Sequence, residues 1–208
     1  MGFTENLERD RAVLGRLLDQ LDLPANLISP IQAHARAVRD SADRLGLISP
    51  NDVEAVVVRH SADSLLFALA RRPTAGESWV DVGSGAGFPG VVLACCFPEC
   101  AFALLEPLKR RAGFLELVGA DLGLSNLEVV PRRLEDLESD TFDVAVARAF
   151  AEPMLALRSM LRILKPGGRA YVSVSPGVRI EAGATLVRID DAGDVDSPGL
   201  FSMMTREG

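Results

Sequence analysis

A strand-like run, Trp79-Val80-Asp81-Val82, opens directly into a turn with glycine at 83, 85, 87 and 90. Glycine at such a turn accepts positive φ and lets a ligand lie against bare backbone. A second apolar run, Ala101 to Leu105, ends on the carboxylate of Glu106, 19 positions after Gly87. Glycine-rich turn, helix, strand and then a carboxylate is the layout that holds an adenosine, with the carboxylate on the ribose hydroxyls. Which nucleotide-like cofactor sits there is left open by this spacing alone.

From Trp79 onward strands and helices alternate. Strands are expected at 78–82, 101–105, 127–131, 142–147 and 168–174, and helices at 88–96, 107–121, 133–137 and 151–163. This alternation makes a parallel sheet with helices on both faces, joined by right-handed crossovers. The tail differs. Thr185 to Ile189, an acidic turn from Asp190 to Asp196, and Leu200 to Thr205 read as an antiparallel hairpin at the sheet edge.

Residues 1–75 form an N-terminal helical region and 76–208 a second unit, with Arg71 to Gly76 as linker. Leu14, Leu17, Leu18 and Leu21 make one helical stripe that Pro24 ends, and Ile31 to Leu45 a second amphipathic helix. Ser49-Pro50-Asn51-Asp52 reads as the turn and N-cap of a third helix, Val53 to Ala70. No apolar stretch approaches the roughly 20 residues of a membrane span, and the polar, acidic start does not read as a signal peptide. Three cysteines crowd into residues 95–100, an odd number that points to reduced thiols, a cytoplasmic location and buried filler. The two histidines, His34 and His60, lie too far from them in sequence to suggest a metal site, and none is expected. A net charge of −7 argues against wholesale wrapping of nucleic acid, though not against a local basic strip.

The spacing at the turn is G-x-G-x-G-x-x-G, with Pro89 at the helix start. A dinucleotide fingerprint asks for G-x-G-x-x-G. This crowded, proline-stiffened turn suits a compact nucleoside with an amino-acid tail, whose ammonium group Asp81 is placed to meet. The layout resembles motif I of class I S-adenosylmethionine (SAM) methyltransferases. Phe142 to Val146 resembles their fourth strand, and Leu164-Lys165-Pro166-Gly167-Gly168 the turn before their fifth. The implied fold is Rossmann-like: a mostly parallel seven-stranded sheet with a C-terminal antiparallel hairpin.

More narrowly, Val82 to Gly90 is similar to the V-G-[ST]-G-x-G-[LF]-P-G signature of the RsmG (GidB) family, which methylates N7 of a guanine in 16S rRNA. Arg59-His60-Ser61-Ala62-Asp63-Ser64-Leu65 resembles that family's R-H-x-x-D-S-L helix. Leu104 to Leu115, Arg133 to Asp136, and Ala147-Arg148-Ala149-Phe150-Ala151 resemble three further segments. Ser175 stands where the family has a strand-five lysine, and Gly199 where it has an arginine.

The resemblance implies SAM as cofactor, without metal, and 16S rRNA or a small-subunit particle as partner. No membrane association and no obligate protein partner are expected, and the chain is expected to be a monomer. Cofactor contacts are expected from Asp81, Gly83, Ser84, Gly85, Gly87, Phe88, Glu106, Pro107, Leu134, Glu135 and Arg148. Glu135 is expected on the adenine amino group. Arg148, which follows strand four, is the expected catalytic residue, stacked on the purine or forked onto a phosphate. The bland alternative is a salt bridge to Asp143 or Glu152. Arg110, Arg111, Arg133 and Arg148 are expected on RNA, and with Lys109 and Arg132 they either collect phosphates or form a solvated face. His60 and Asp63, three apart on a helix, read as a hydrogen-bonded pair pinning the N-terminal helices to the pocket. Arg158, Arg162, Lys165 and Arg169 are expected away from it. A methyltransferase for a small molecule or another RNA, and a SAM-binding protein without transfer activity, remain the alternative functions.

Overall fold

The fold is taken from a computed structural model, which describes residues 3–148, 152–180, 182–191, 195 and 199–207. Five parallel strands form the sheet centre: β1 (Ser78–Val82), β2 (Ala101–Leu105), β3 (Leu127–Val130), β4 (Phe142–Ala147) and β5 (Leu164–Ser173). An antiparallel pair, β6 (Thr185–Arg188) and β7 (Leu200–Thr205), completes it in the order β3-β2-β1-β4-β5-β7-β6. The second strand of the hairpin, not the first, joins β5. The central part of its acidic turn lies outside the described residues.

Side chains alternate across a strand, and two cores result. Trp79, Phe102, Leu104, Val144, Val146 and Tyr171 face one side of the sheet, while Val80, Val82, Ala103, Leu105, Ala145 and Val172 face the other. The first side is covered by α4 (Gly90–Cys96) and α5 (Lys109–Asp121), the second by α6 (Pro153–Leu161). Cys95, Cys96 and Cys100 are buried and unbridged on the first side. Burying each large aliphatic side chain stabilises by about 1.5–3 kcal/mol.

The N-terminal helices extend the first layer. In α1 (Phe3–Gln20) the Leu14-Leu17-Leu18 stripe is at most 2% exposed, and Leu21 just beyond it is equally buried. Helix α2 (Ile28–Leu45) buries Ile31, Ala35 and Val38, and the left-handed Gly46 closes it. These residues belong to the same cluster as Trp79 and Val91. No helix among the described residues is long and apolar enough to cross a membrane.

Four expectations are corrected. The third helix is not continuous over 53–70. A 3-10 turn (Pro50–Asp52) is followed by a π turn (Val57–Ser61) and then α3 (Ala62–Ala70). Three successive valines at 56–58 are poor helix formers, and all three are buried, so core packing outweighs regular helical hydrogen bonding. The helix expected at 133–137 is a single 3-10 turn, Leu134–Asp136. The helix expected at 88–96 starts at Gly90, with Pro89 as its N-cap. Strand β5 begins four residues early, at Leu164. A register shift against β4 between Phe142 and Val144 absorbs the Pro166-Gly167 bend. Ala149, Phe150 and Ala151 lie outside the described residues.

Candidate functional site

The carboxyl ends of β1, β2, β3 and β4 bring most of the expected residues to one edge, the edge at which open parallel sheets bind ligands. The turn after β1 is tied to β2: Gly83 N and Ser84 N both donate to the Leu105 carbonyl, at 2.9 and 3.1 Å. Glu106 is buried and clamps two loops. Its Oε2 accepts from Gly85 N at 3.0 Å and its Oε1 from Leu108 N at 2.8 Å. Each oxygen keeps lone pairs for a further donor. The Ser84 hydroxyl donates to the Asp81 carbonyl at 2.9 Å, which is an internal turn bond.

The four glycines divide by cause. Gly83 and Gly85 have φ of 75° and 55° and are half-buried, so their backbone borders the site. Gly87 and Gly90 are buried. A Cβ on Gly87 would stand 2.6 Å from Val91 Cγ2, and one on Gly90 only 2.1 Å from Leu104 Cδ2. These two are required by helix–sheet packing, and at Gly87 also by a φ of 92°.

Asp81 is 3% exposed. Its Oδ2 accepts from Gly90 N at 2.9 Å, and its Oδ1 has no hydrogen-bond partner. Burial pushes its carboxyl up to about 7, opposed by the Gly90 N–H bond and the Arg148 charge. A buried oxygen without a partner is costly, and a cation at Oδ1 would relieve that cost. Beyond Asp81, a cavity of about 100 Å³ is lined by Val82, Gly83, Leu105, Pro107 and the segment Arg132–Glu135. Leu134 is buried and Glu135 exposed beside it. An apolar slot bordered by the Glu135 carboxylate, at the same sheet edge as the orphaned Asp81 oxygen, fits a nucleoside with an ammonium-bearing tail. Among the described residues no cluster of His, Cys, Asp or Glu is arranged for a metal.

The Phe88 side chain is buried against the rings of His34 and His60, with centroids 4.5 and 5.4 Å away. The guanidinium of Arg148 lies over it, Cζ 5.5 Å from the ring centre. Phe88 is therefore a packing platform for Arg148. Asp143 and Glu152 are not Arg148's partners. Asp143 pairs with Lys165 at 2.8 Å, and Glu152 caps the start of α6. Instead Arg148 Nη1 donates to His60 Nδ1 at 2.6 Å and meets Asp63 Oδ2 at 3.4 Å. His60 and Asp63 thus share an arginine and do not form the expected direct pair. Burial and the Arg148 charge push the His60 imidazole down to about 4, leaving it neutral at assay pH.

Arg110 and Arg111 each make hydrogen bonds to backbone at the end of α2, and Arg110 stays exposed. Arg110 Nη2 donates to the Arg44 carbonyl at 2.9 Å, and Arg111 Nη2 to the Gly46 carbonyl at 2.5 Å. Both sit at the C-terminal end of α2, where a cation offsets unsatisfied carbonyls. Arg111→Ala should cost about 1 kcal/mol, a drop in Tm of roughly 2–4 °C by calorimetry. An unchanged Tm would mean the contact adds nothing. Lys109, Arg132 and Arg133 are exposed.

Two residues escaped the sequence reading. His34 is fully buried, and its Nε2 bonds the Ala86 carbonyl of the glycine turn at 2.8 Å. The signal was present: a polar residue inside the apolar stripe Ile31, Ala35, Val38 needs a partner. Arg162, expected to lie away from the site, reaches back from the end of α6 and donates to the Leu134 and Leu137 carbonyls, both at 2.7 Å. It braces the cavity wall from behind, and no spacing announces that.

Similar proteins agree with this architecture. A SAM-dependent O-methyltransferase from Thermotoga maritima superposes with a TM-score of 0.54 at 17% identity, over 82% of this chain and 71% of that one. The fold is that of class I SAM methyltransferases. The ribosomal RNA small subunit methyltransferase G of Solibacter usitatus is 43% identical over 103 residues, 49% of each chain. That of Moorella thermoacetica is 30% identical over 192 residues, 89% of this chain and 80% of the relative. In the first of these two matches the chain spans about half the relative's length. Residues 27–181 match the family described as rRNA small subunit methyltransferase G, and with the Moorella protein aligned over nearly the whole chain, this chain belongs to that GidB family.

Proposed function

We propose that this chain transfers a methyl group from SAM to N7 of a guanine in 16S rRNA, within a small-subunit particle. The observation that carries the reading is the partnerless Oδ1 of buried Asp81, near the end of β1 where the strand leads into the glycine turn. Asp81 takes the ammonium group of the cofactor's amino-acid tail. Gly83 and Gly85 present backbone to the tail, and Glu106 takes the ribose hydroxyls with the lone pairs its loop bonds leave over. Val82, Leu105, Pro107 and Leu134 sandwich the adenine, and Glu135 accepts from its amino group.

When bound, the cofactor supplies an electrophilic methyl on a sulfonium. Guanine N7 carries a free lone pair, so no base is required. The chain's own task is to hold donor and acceptor in line and to exclude water. Arg148, two residues beyond Val146, which pairs with Asp81, stands at the acceptor side of that line. Exposed Arg132, Arg133 and Lys109 offer charge to RNA phosphates along the β2–β3 edge.

The test is incubation of purified protein with labelled SAM and small-subunit particles lacking the modification. Label recovered as 7-methylguanine in 16S rRNA is the expected result. Label confined to small molecules, or no heat of binding with SAM or its demethylated product, overturns the reading.

A further inference from the structure

Arg148 is not a freely moving surface arginine. Its Nη1 is gripped by His60 Nδ1 at 2.6 Å, Asp63 Oδ2 at 3.4 Å and the Arg59 carbonyl at 3.5 Å. Among the described residues, Nε and Nη2 make no hydrogen bond. The ring of Phe88 lies beneath the guanidinium. A guanidinium can only donate, so His60 Nδ1 must be bare and the imidazole neutral.

The grip comes from the N-terminal helices, not from the sheet. The π turn at Val57–Ser61 bonds Ala62 N to the Val57 carbonyl, five residues back, and so sets His60 and Asp63 on the side of Arg148. The Ser64 hydroxyl donates to the His60 carbonyl at 2.6 Å and holds that turn. Such π turns recur at functional sites. A surface arginine loses much rotamer entropy when it is ordered, and Arg148 already has these partners without a ligand.

We propose that Asp63 and His60 are positioning residues for methyl transfer: they hold Arg148 by one terminal nitrogen and leave Nε and Nη2 for the acceptor nucleotide. This rests on the reading of Arg148 as the acceptor-side residue. Neither side chain contributes a proton step. Each acts through Arg148, so its loss appears in the rate of transfer and not in the affinity for SAM.

The experiment is a double-mutant cycle on the full chain with unmodified small-subunit particles. Asp63→Asn should lower kcat at least about tenfold, with the calorimetric Kd for SAM within about twofold. In an Arg148→Ala background the same change should add nothing. His60→Leu should lower kcat similarly, and His60→Asn, which keeps an acceptor near the Nδ1 position, should recover most of that loss. Side-chain nitrogen NMR of the free protein reads the grip directly: the slowly rotating Arg148 guanidinium of the parent should become rotationally averaged in Asp63→Asn. Equal losses from Asp63→Asn with and without Arg148 would make Asp63 merely structural and overturn the proposal. An unaltered Arg148 signal would do the same. A parent that transfers no methyl to the particles defeats the functional reading and the acceptor role with it, and the NMR arm then judges the grip alone.

Discussion

Gly90→Ala is expected to lose most SAM binding and to melt about 5–10 °C below the parent. A Cβ at this position would lie 2.1 Å from Leu104 Cδ2, 2.8 Å from Asp81 Oδ2 and 3.0 Å from Asp81 Cβ. Neither neighbour has room to yield, because Leu104 is 0% and Asp81 3% exposed and both belong to hydrogen-bonded central strands. Helix α4 must therefore shift outward. Overpacking of this kind costs roughly 1–3 kcal/mol or somewhat more, and about 1 kcal/mol corresponds to roughly 2–4 °C at this size. The shift also draws Gly90 N away from Asp81 Oδ2, 2.9 Å apart in the parent. Gly113→Ala is the control. It lies within α5 with nothing inside 4 Å of a new Cβ and no positive φ, so it should melt at or slightly above the parent. Equal melting temperatures and equal SAM affinities for parent and Gly90→Ala would show that α4 is not packed as described.

Asp81→Asn should have opposite effects on stability and on ligand affinity. Burial raises the Asp81 carboxyl from its ordinary 3.8 to about 7. Between those two values the folded state holds a proton that the unfolded state has released. Stability therefore falls as pH rises from about 4 to about 7 and levels off above it. Asparagine keeps an acceptor for Gly90 N and removes the buried charge. Its melting temperature should match the parent near pH 4, rise above it through pH 5–7, and keep a constant margin at higher pH. Affinity for SAM runs the other way. The parent should bind tightly at pH 8 and lose up to about tenfold per pH unit below 7 as the carboxylate is neutralised. Asp81→Asn should bind roughly 10- to 100-fold more weakly at pH 8, with a flat profile, because a charge-assisted hydrogen bond is lost. Methylthioadenosine, which lacks the amino-acid tail, should not distinguish the two proteins. A parent whose SAM affinity is constant from pH 6 to 8 would remove Asp81 from the ammonium site. The trade of stability for a binding group is common at functional sites.

Much of the sheet was legible because strands of five or six residues, spaced by helix-length segments, leave few ways to bury both faces. The boundaries of β1, β2 and β4 follow directly from their apolar runs. The segment 53–70 was not legible. Its apolar residues satisfy a helical period, yet burial of Val56, Val57 and Val58 goes with a π turn, which in turn places His60 against Arg148. The early start of β5 was hidden for a similar reason: Pro166 and Gly167 read as a turn, and only pairing with β4 draws Leu164 into the sheet.

At the edge of the sheet, local sequence revealed which residues gather and not what each one does there. Gly83, Glu106, Leu134 and Arg148 follow strand ends, so topology alone delivers them to one rim. Gly87 and Gly90 look like the other glycines in sequence, but side chains from α5, α2 and β2 occupy the space a Cβ would need. Arg110 and Arg111 look alike as a basic pair in sequence, and only the fold shows that carbonyls at the end of α2 accept a hydrogen bond from one terminal nitrogen of each.

The sequence by itself determined the parallel sheet, the glycine turn and the carboxylates at its rim, because periodicity and backbone permissiveness are local properties of a chain. Only the tertiary structure decided that Asp81 keeps an unpartnered oxygen, that His34 and Arg162 support the loops, and that Arg148 answers to Asp63 and His60. Burial and hydrogen-bond satisfaction depend on which groups from distant segments meet in space, and that is settled when the N-terminal helices close over the sheet.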